Sequence, residues 1–114
     1  MKRNMDLIRQ ILLQVEASPH ANFPVRISIE GQDDETISYH VRLLDEAGLI
    51  EARDPGGNKW VPLRLTWRGQ EFLEAARDNN VWEKAKQIAS KSGGIAFETL
   101  FPLLLDLGRK ALGL

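Results

Sequence analysis

The chain has 114 residues, 43% of them hydrophobic, which is enough to build one domain with a core of its own. Fifteen basic and sixteen acidic residues give a formal charge of −1, so the chain lacks the positive field of an indiscriminate nucleic-acid binder. The absence of cysteine excludes disulfides and thiolate chemistry, and no apolar run approaches the roughly 18 residues that cross a bilayer. We therefore expect a cytoplasmic protein without a membrane partner.

The first third of the chain predicts a helix followed by a strand. Apolar residues recur at helical spacing from Met5 to Ala17, Asn4 is the expected N-cap, and Ser18-Pro19 ends the helix. From Val25 to Glu30 apolar and polar residues alternate, which is typical of a strand with one buried face. Gly31 stops that strand.

The middle of the chain predicts a helix that runs directly into a β-hairpin. Asp33, Asp34 and Glu35 open the helix, because carboxylates there accept hydrogen bonds from free backbone N–H groups and complement the helix dipole. Gly48 is placed for the left-handed residue that closes it. Two extended runs, residues 49–53 and 59–65, then flank a strong turn sequence.

Two helices are predicted after the hairpin. Thr66 caps a helix over residues 67–78, and Asn79-Asn80 breaks it. A further helix follows over residues 81–91. We expect both to bury one apolar face.

The last predicted helix covers residues 97–112, after Gly93-Gly94 as a hinge or cap. Pro102 either kinks this helix or makes it begin nearer Phe101, because proline has no N–H to donate. Apolar side chains surround most of the helix, more than one packing face requires. The residues that we assign to a homodimer contact are Leu100, Phe101, Leu104 and Leu107. The alternative is that the helix folds back over the core.

The order helix, strand, helix, hairpin, helix is how a winged helix-turn-helix domain is built. Residues 37–44 (ISYHVRLL), 46–50 (EAGLI) and 65–69 (LTWRG) resemble the recognition helix, its exit into the wing and the next helix of bacterial repressors of the arsenic-repressor and multiple-antibiotic-resistance-repressor types. The resemblance implies an α+β winged helix-turn-helix over residues 1–78, with additional C-terminal helices over residues 79–114. Such repressors also have a supporting helix before the recognition helix. Here the alternating segment takes that place, so the supporting helix is expected to be shortened or missing.

The whole chain also resembles a bacterial and prophage family known as domain of unknown function 2513. The likeness is carried by residues 1–9 (MKRNMDLIR), 27–31 (ISIEG), 38–40 (SYH), 48–52 (GLIEA), 65–67 (LTW), 69–76 (GQEFLEAA) and 81–82 (VW). It supports the fold and a prophage setting, and it implies no activity.

The helix that starts at Thr36 is the expected reader of double-stranded DNA, because base edges are commonly contacted from the N-terminal part of such a helix and the hairpin bases can reach phosphates. The predicted DNA-binding residues are Thr36, Ser38, Tyr39, Arg42, Arg53, Lys59 and Arg64. This predicts a transcriptional regulator or a phage-related accessory protein. The acidic helix start and the low net charge leave a second hypothesis open, a non-enzymatic protein-interaction module that no longer binds DNA.

The sequence predicts no enzyme, no cofactor and no metal site. His40 is expected to be a packed histidine bonded to backbone, and His20 to be exposed, with no further histidine at ligand spacing. Gly56-Gly57 lies at a hairpin tip instead of ahead of a helix, so it cannot cradle a phosphate there. Among the tryptophans, we expect Trp60 to be partly exposed and the other two to be packed.

Overall fold

The computed structural model describes residues 1–91 and 95–113, and over them the chain forms five helices and one two-stranded antiparallel sheet, the α+β class that the sequence predicts. The elements in chain order are α1 (Met5–Ala17), α2 (Asp34–Glu46), β1 (Ile50–Arg53), β2 (Val61–Leu65), α3 (Trp67–Ala76), α4 (Asn79–Lys91) and α5 (Phe97–Ala111). The predicted hinge at Gly93-Gly94 lies outside the described residues.

The chain divides into two compact units, Met1–Gln70 and Glu71–Leu114, so that α3 begins in the first and ends in the second. The division falls after residue 70, whereas the sequence placed it after residue 78. The reason lies in the aromatic core of the second unit: Phe72 packs its ring against those of Trp82, Phe97 and Phe101, with ring centroids 6.3, 5.0 and 5.5 Å away. The second half of α3 therefore belongs with α4 and α5.

Helix α1 has the predicted bounds because its cap and its apolar stripe agree. The Asn4 side-chain oxygen accepts the Leu7 N–H at 3.1 Å. The buried side chains recur every three or four residues, at Met5, Leu7, Ile8, Ile11, Leu12 and Val15. The helix packs on both α2 and β2, so this stripe forms the centre of the first unit's core.

Residues 25–29 lie outside any helix or strand and do not form the predicted strand, and Glu30 belongs to a turn. Every second side chain is half-buried, as the alternation predicts. Among the described residues one backbone hydrogen bond joins this segment to the sheet, from the Val25 N–H to the Pro62 carbonyl at 2.9 Å. Pro62 has no N–H to return the bond, so the ladder stops there. Further along, the Gln14 side chain accepts the Ser28 N–H at 3.2 Å and donates to the Ser28 carbonyl at 2.8 Å, which replaces a strand neighbour.

Helix α2 begins and ends where its caps predict. The Asp33 carboxylate accepts the Thr36 N–H at 2.7 Å. At the other end Gly48 has φ +76°, a left-handed conformation that glycine adopts without strain.

The hairpin follows at once, with Ile50 opposite Leu65 and an irregularity in the register between Glu51 and Ala52. At that irregularity the Ala52 N–H donates to the Asp45 carboxylate at 3.0 Å, which fastens β1 to α2.

The hairpin tip is held by one carboxylate. The Asp54 oxygens accept the N–H groups of Gly56, Asn58 and Lys59 at 2.9, 3.1 and 3.1 Å. Gly56, Gly57 and Asn58 all have positive φ, which explains the glycine-rich turn sequence. The tip is therefore an ordered turn.

The start of α3 touches the end of α2. The Thr66 hydroxyl accepts the Gly69 N–H at 3.1 Å, as an N-cap does, and donates to the Gly48 carbonyl at 2.6 Å. A Cβ on Gly69 would overlap the Leu49 carbonyl oxygen and lie 2.9 Å from its carbon. Only glycine fits this position.

Of the two helices that start in the second unit, α4 starts earlier than predicted and α5 starts where the sequence placed it. The Asp78 carboxylate accepts the Val81 N–H at 2.9 Å and α4 begins at Asn79, so Asn79-Asn80 is the first turn of a helix and not a break. Helix α5 begins at Phe97, as predicted, and contains Pro102, so the alternative start near Phe101 does not occur.

Candidate recognition surface

The hairpin tip lies beside the N-terminal half of α2. The Ser38 hydroxyl donates to the Asn58 carbonyl at 2.8 Å and accepts the Trp60 N–H at 2.9 Å. These two bonds join the helix and the hairpin. We refer to the surface of residues 33–65 as the α2–hairpin face.

Two of the predicted DNA-binding residues are occupied in this arrangement. Ser38 uses its only donor and one acceptor position on the hairpin, and its side chain is half-buried. Thr36 is half-buried too, and both its side chain and its backbone N–H hydrogen-bond to the Asp33 carboxylate. Both residues therefore hold the fold together at the place where the sequence predicted base contacts.

Arg42 and Tyr39 lie further along α2. The Arg42 guanidinium is 3.4 Å from the Glu46 carboxylate and 5.8 Å from the centroid of the Trp60 ring. Arg42 is exposed, but Glu46, one helical turn further along α2, already supplies an opposite charge. Tyr39 is half-buried and meets His40 edge to face, with ring centroids 5.6 Å apart.

The three predicted cations of the hairpin have different surroundings. Arg64 forms a two-bond pair with Glu51 at 3.1 and 2.7 Å and donates to the Leu65 carbonyl at 3.0 Å. Arg53 and Lys59 are exposed near the tip. The bidentate pair leaves Arg64 with little charge to offer a phosphate.

The α2–hairpin face is acidic as a whole. Residues 33–65 contain seven carboxyl groups and four cations, a formal charge of −3. Hydrogen bonds from Thr36 lower the pKa of Asp33 below its usual value of 3.8, so this carboxyl stays ionised at neutral pH. The formal charge of residues 33–65 is therefore opposite in sign to the charge that a phosphate backbone attracts.

A cleft of about 600 Å³ opens in the first unit beside α2. Its walls are residues 25–27, the first two turns of α2 and the hairpin from Gly57 to Pro62. The apolar part of the lining comes from Val25, Ile27, Ile37, Val41, Trp60, Val61 and Pro62, and the charged part from Arg26, Asp34, Glu35 and Lys59. Sequence reasoning missed the cleft, because it treated residues 25–30 as a paired strand, although the alternation of Val25 and Ile27 was a signal.

The histidines agree with the predictions. His40 is buried, its Nε2 accepts the Asn4 N–H at 2.9 Å, and its Nδ1 lies 2.8 Å from the Thr36 carbonyl. An Nε2 that accepts carries no proton, so the ring is neutral and Nδ1 donates. His40 is thus a structural link between α1 and α2, and His20 is exposed.

The tryptophans agree only in part. Trp60 is half-buried and Trp82 is fully buried, as expected. Trp67 is 82% exposed, so the prediction that it packs in the core was wrong. Its position at the first residue of α3 turns it outward, while the apolar face of that helix begins at Phe72.

The residues predicted to form a dimer contact are core residues of a single chain. Leu100 and Leu104 have no exposed surface, Leu107 is 9% exposed, and Phe101 is half-buried. Phe101 packs on Phe97 with ring centroids 5.6 Å apart. These side chains have almost no surface left for a second copy, and their assignment to an interface is corrected.

Over the described part of the chain, no three histidine, aspartate or glutamate side chains stand close enough to share a metal ion. No helix among the same residues has both the length and the apolar character required to cross a bilayer.

The fold and this face define a small α+β protein with a helix and a hairpin joined into one surface. Residues 2–96 match the family described as Hypothetical protein (DUF2513), and the chain belongs to that family, as the sequence likeness predicted. An uncharacterised protein of Haemophilus influenzae is 42% identical over 105 residues, which cover 88% of this chain and 89% of that protein. No solved structure matches the chain.

Proposed function

We propose that residues 1–70 form a winged-helix scaffold and that the protein is a non-enzymatic recognition module that binds a protein partner through the α2–hairpin face. The order of α1, α2, hairpin and α3 supports the scaffold, as do the left-handed exit at Gly48 and the Thr66 cap. Residues 25–30 stand where a repressor has its supporting helix, so the scaffold departs from the DNA-binding pattern there.

The observation that carries the choice of a protein partner is the charge of the face. DNA presents phosphates at every step, and binding proteins neutralise them with lysine and arginine. Here carboxyl groups outnumber cations by seven to four. Two of those cations, Arg42 and Arg64, already have carboxylate partners. A protein surface carries both signs of charge and can match such a face, whereas a duplex cannot.

Double-stranded DNA is the second candidate, and one observation favours it. The Ser38 bonds fix the hairpin beside α2, as a reading helix and a wing have to be fixed, and Arg53 and Lys59 are exposed near the tip. A DNA-binding regulator or phage-related accessory protein would use this geometry.

One experiment separates the two candidates. A photo-crosslinking residue is introduced at Arg42, at Lys59 and, as a control on an exposed position of α4, at Lys84. In host cells we expect a discrete protein adduct from the first two positions and none from the control. The purified protein is titrated in parallel with a random duplex pool at low and high salt.

Duplex binding that weakens steeply with salt, and that Arg53→Ala and Lys59→Ala reduce, would replace the protein partner by DNA. Equal adducts from all three positions would also overturn the proposal, because they would show that the α2–hairpin face has no preference.

A further inference from the structure

We propose that the cleft beside α2 takes an extended peptide segment of the partner protein, which pairs its backbone with the free N–H and C=O groups of Ile27. This inference rests on the proposed function and names the part of the face that makes the contact. It also accounts for a segment that alternates in burial and yet forms no strand.

The backbone of the cleft wall is the first reason. Val25 donates its N–H to the Pro62 carbonyl, and from there the hairpin offers the segment no second bond. Arg26 and Ile27 line the cleft, and their N–H and C=O groups have no hydrogen-bond partner among the described residues. In an extended backbone the N–H and C=O groups of every second residue point to the same side. The N–H and C=O groups of Ile27 therefore point to the same side as the N–H of Val25, toward the hairpin. A free N–H and a free C=O on one residue can pair with the backbone of a bound peptide.

The lining of the cleft is the second reason. Ile37 and Val41 from α2 and Trp60 from the hairpin form an apolar surface, and about 600 Å³ lies within the range of ligand-binding pockets. A peptide brings an apolar side chain for this surface.

The charges around the cleft identify the peptide more closely. Asp34 and Glu35 line it from α2, and Arg26 and Lys59 line it from the segment and the hairpin. The peptide that best complements the cleft has an apolar residue in the middle, a basic residue on the side of α2 and an acidic residue on the side of the hairpin. A nucleic-acid strand carries negative charge only, so Asp34 and Glu35 would repel it.

The test uses the full chain and a displayed library of random twelve-residue peptides as the probe. We expect the selected peptides to share apolar residues at alternate positions, flanked by one basic and one acidic residue. A synthetic peptide of the selected sequence is then titrated into the wild type and two variants.

Ile27→Pro removes the docking N–H, which makes no bond in the free protein, and should weaken peptide binding at least tenfold. Ile29→Pro is the matched control in the same segment, since Ile29 does not line this cleft, and should change the affinity less than threefold. Unfolding curves of both variants serve as the control that each variant is folded before its affinity is measured. Amide hydrogen exchange supplies a readout that does not depend on substitution: the Ile27 N–H should exchange fast in the free protein and at least tenfold more slowly with peptide bound.

Each contrary result has its own meaning. Equal affinities of the two proline variants for the peptide would show that the peptide does not pair with the backbone of Ile27. The same would follow if the Ile27 amide exchanged as fast in the complex as in the free protein. An Ile27 amide that becomes protected as the protein alone is concentrated would make a second copy the occupant. A library that yields no binder overturns the peptide inference, and discrete adducts from Arg42 and Lys59 would still leave the proposed function standing.

Discussion

Gly69→Ala tests the close approach between the start of α3 and the residue before β1. The added Cβ would overlap the Leu49 carbonyl oxygen and lie 2.9 Å from its carbon and 3.4 Å from its Cα. All three atoms are backbone, so no side-chain rotation relieves the overlap. The same carbonyl accepts the Thr66 N–H at 3.0 Å, so a shift of α3 would also disturb this bond.

The expected loss of stability follows from two opposing effects. Overpacking a well-packed site destabilises by about 1–3 kcal/mol, and backbone on both sides puts this site at the upper end. The higher helix propensity of alanine offsets about 1 kcal/mol of this destabilisation, because alanine favours a helix more than glycine does. The net free energy of unfolding should therefore fall by about 2 kcal/mol. With an m-value of about 1–2 kcal/mol/M, the urea midpoint should fall by about 1–2 M.

Equilibrium unfolding in urea, followed by tryptophan fluorescence, measures this change, since Trp60 and Trp67 both lie in the first unit. Gly108→Ala is the control on a second helical glycine, where a Cβ would meet no atom within 4 Å. It should leave stability unchanged or raise it by up to about 1 kcal/mol. A Gly69→Ala protein as stable as the wild type would refute the close contact that we infer.

Two further changes probe the caps and the buried histidine. His40→Leu removes the acceptor of the Asn4 N–H, so we expect a loss of about 1–3 kcal/mol in urea unfolding, and a loss below a few tenths would contradict the role of this link. Asp33 has its pKa lowered below 3.8 by hydrogen bonds from Thr36, so its carboxylate contributes stability that is complete above that value and is lost as pH falls through the folded-state pKa. Asp33→Asn, which accepts the same bond without ionising, should therefore lose less stability than the wild type between about pH 5 and about pH 2. Parallel pH profiles of the two proteins would contradict this.

Local signals were enough for most of the first unit. Helix α1 has its cap at Asn4, α2 has caps at both ends, and the hairpin tip follows a turn sequence that can adopt positive φ. Each of these depends on residues close together in the chain, so a short window of sequence contains the cause. The buried position of His40 was predictable for the same reason, from its place on the inner side of its helix.

The candidate site was much less predictable, because its members meet across the chain. Ser38 is an ordinary outward position in a helical repeat, and only the folded hairpin gives its hydroxyl two partners. Arg64 is a free cation in the sequence, and the register of β1 and β2 gives it Glu51. Such pairings depend on strand register, which single-sequence patterns specify weakly.

The sequence by itself determined where α1 and α2 start and stop, including the end of α2 before Gly48. Tertiary structure decided that residues 25–30 do not join the sheet as a strand, because the neighbour that Val25 reaches is a proline without an N–H. It also decided that the α5 leucines are core. The physical reason is range: capping and periodicity act within one or two turns of chain, whereas hydrogen-bond partners, ion pairs and clefts exist only once distant segments share a surface.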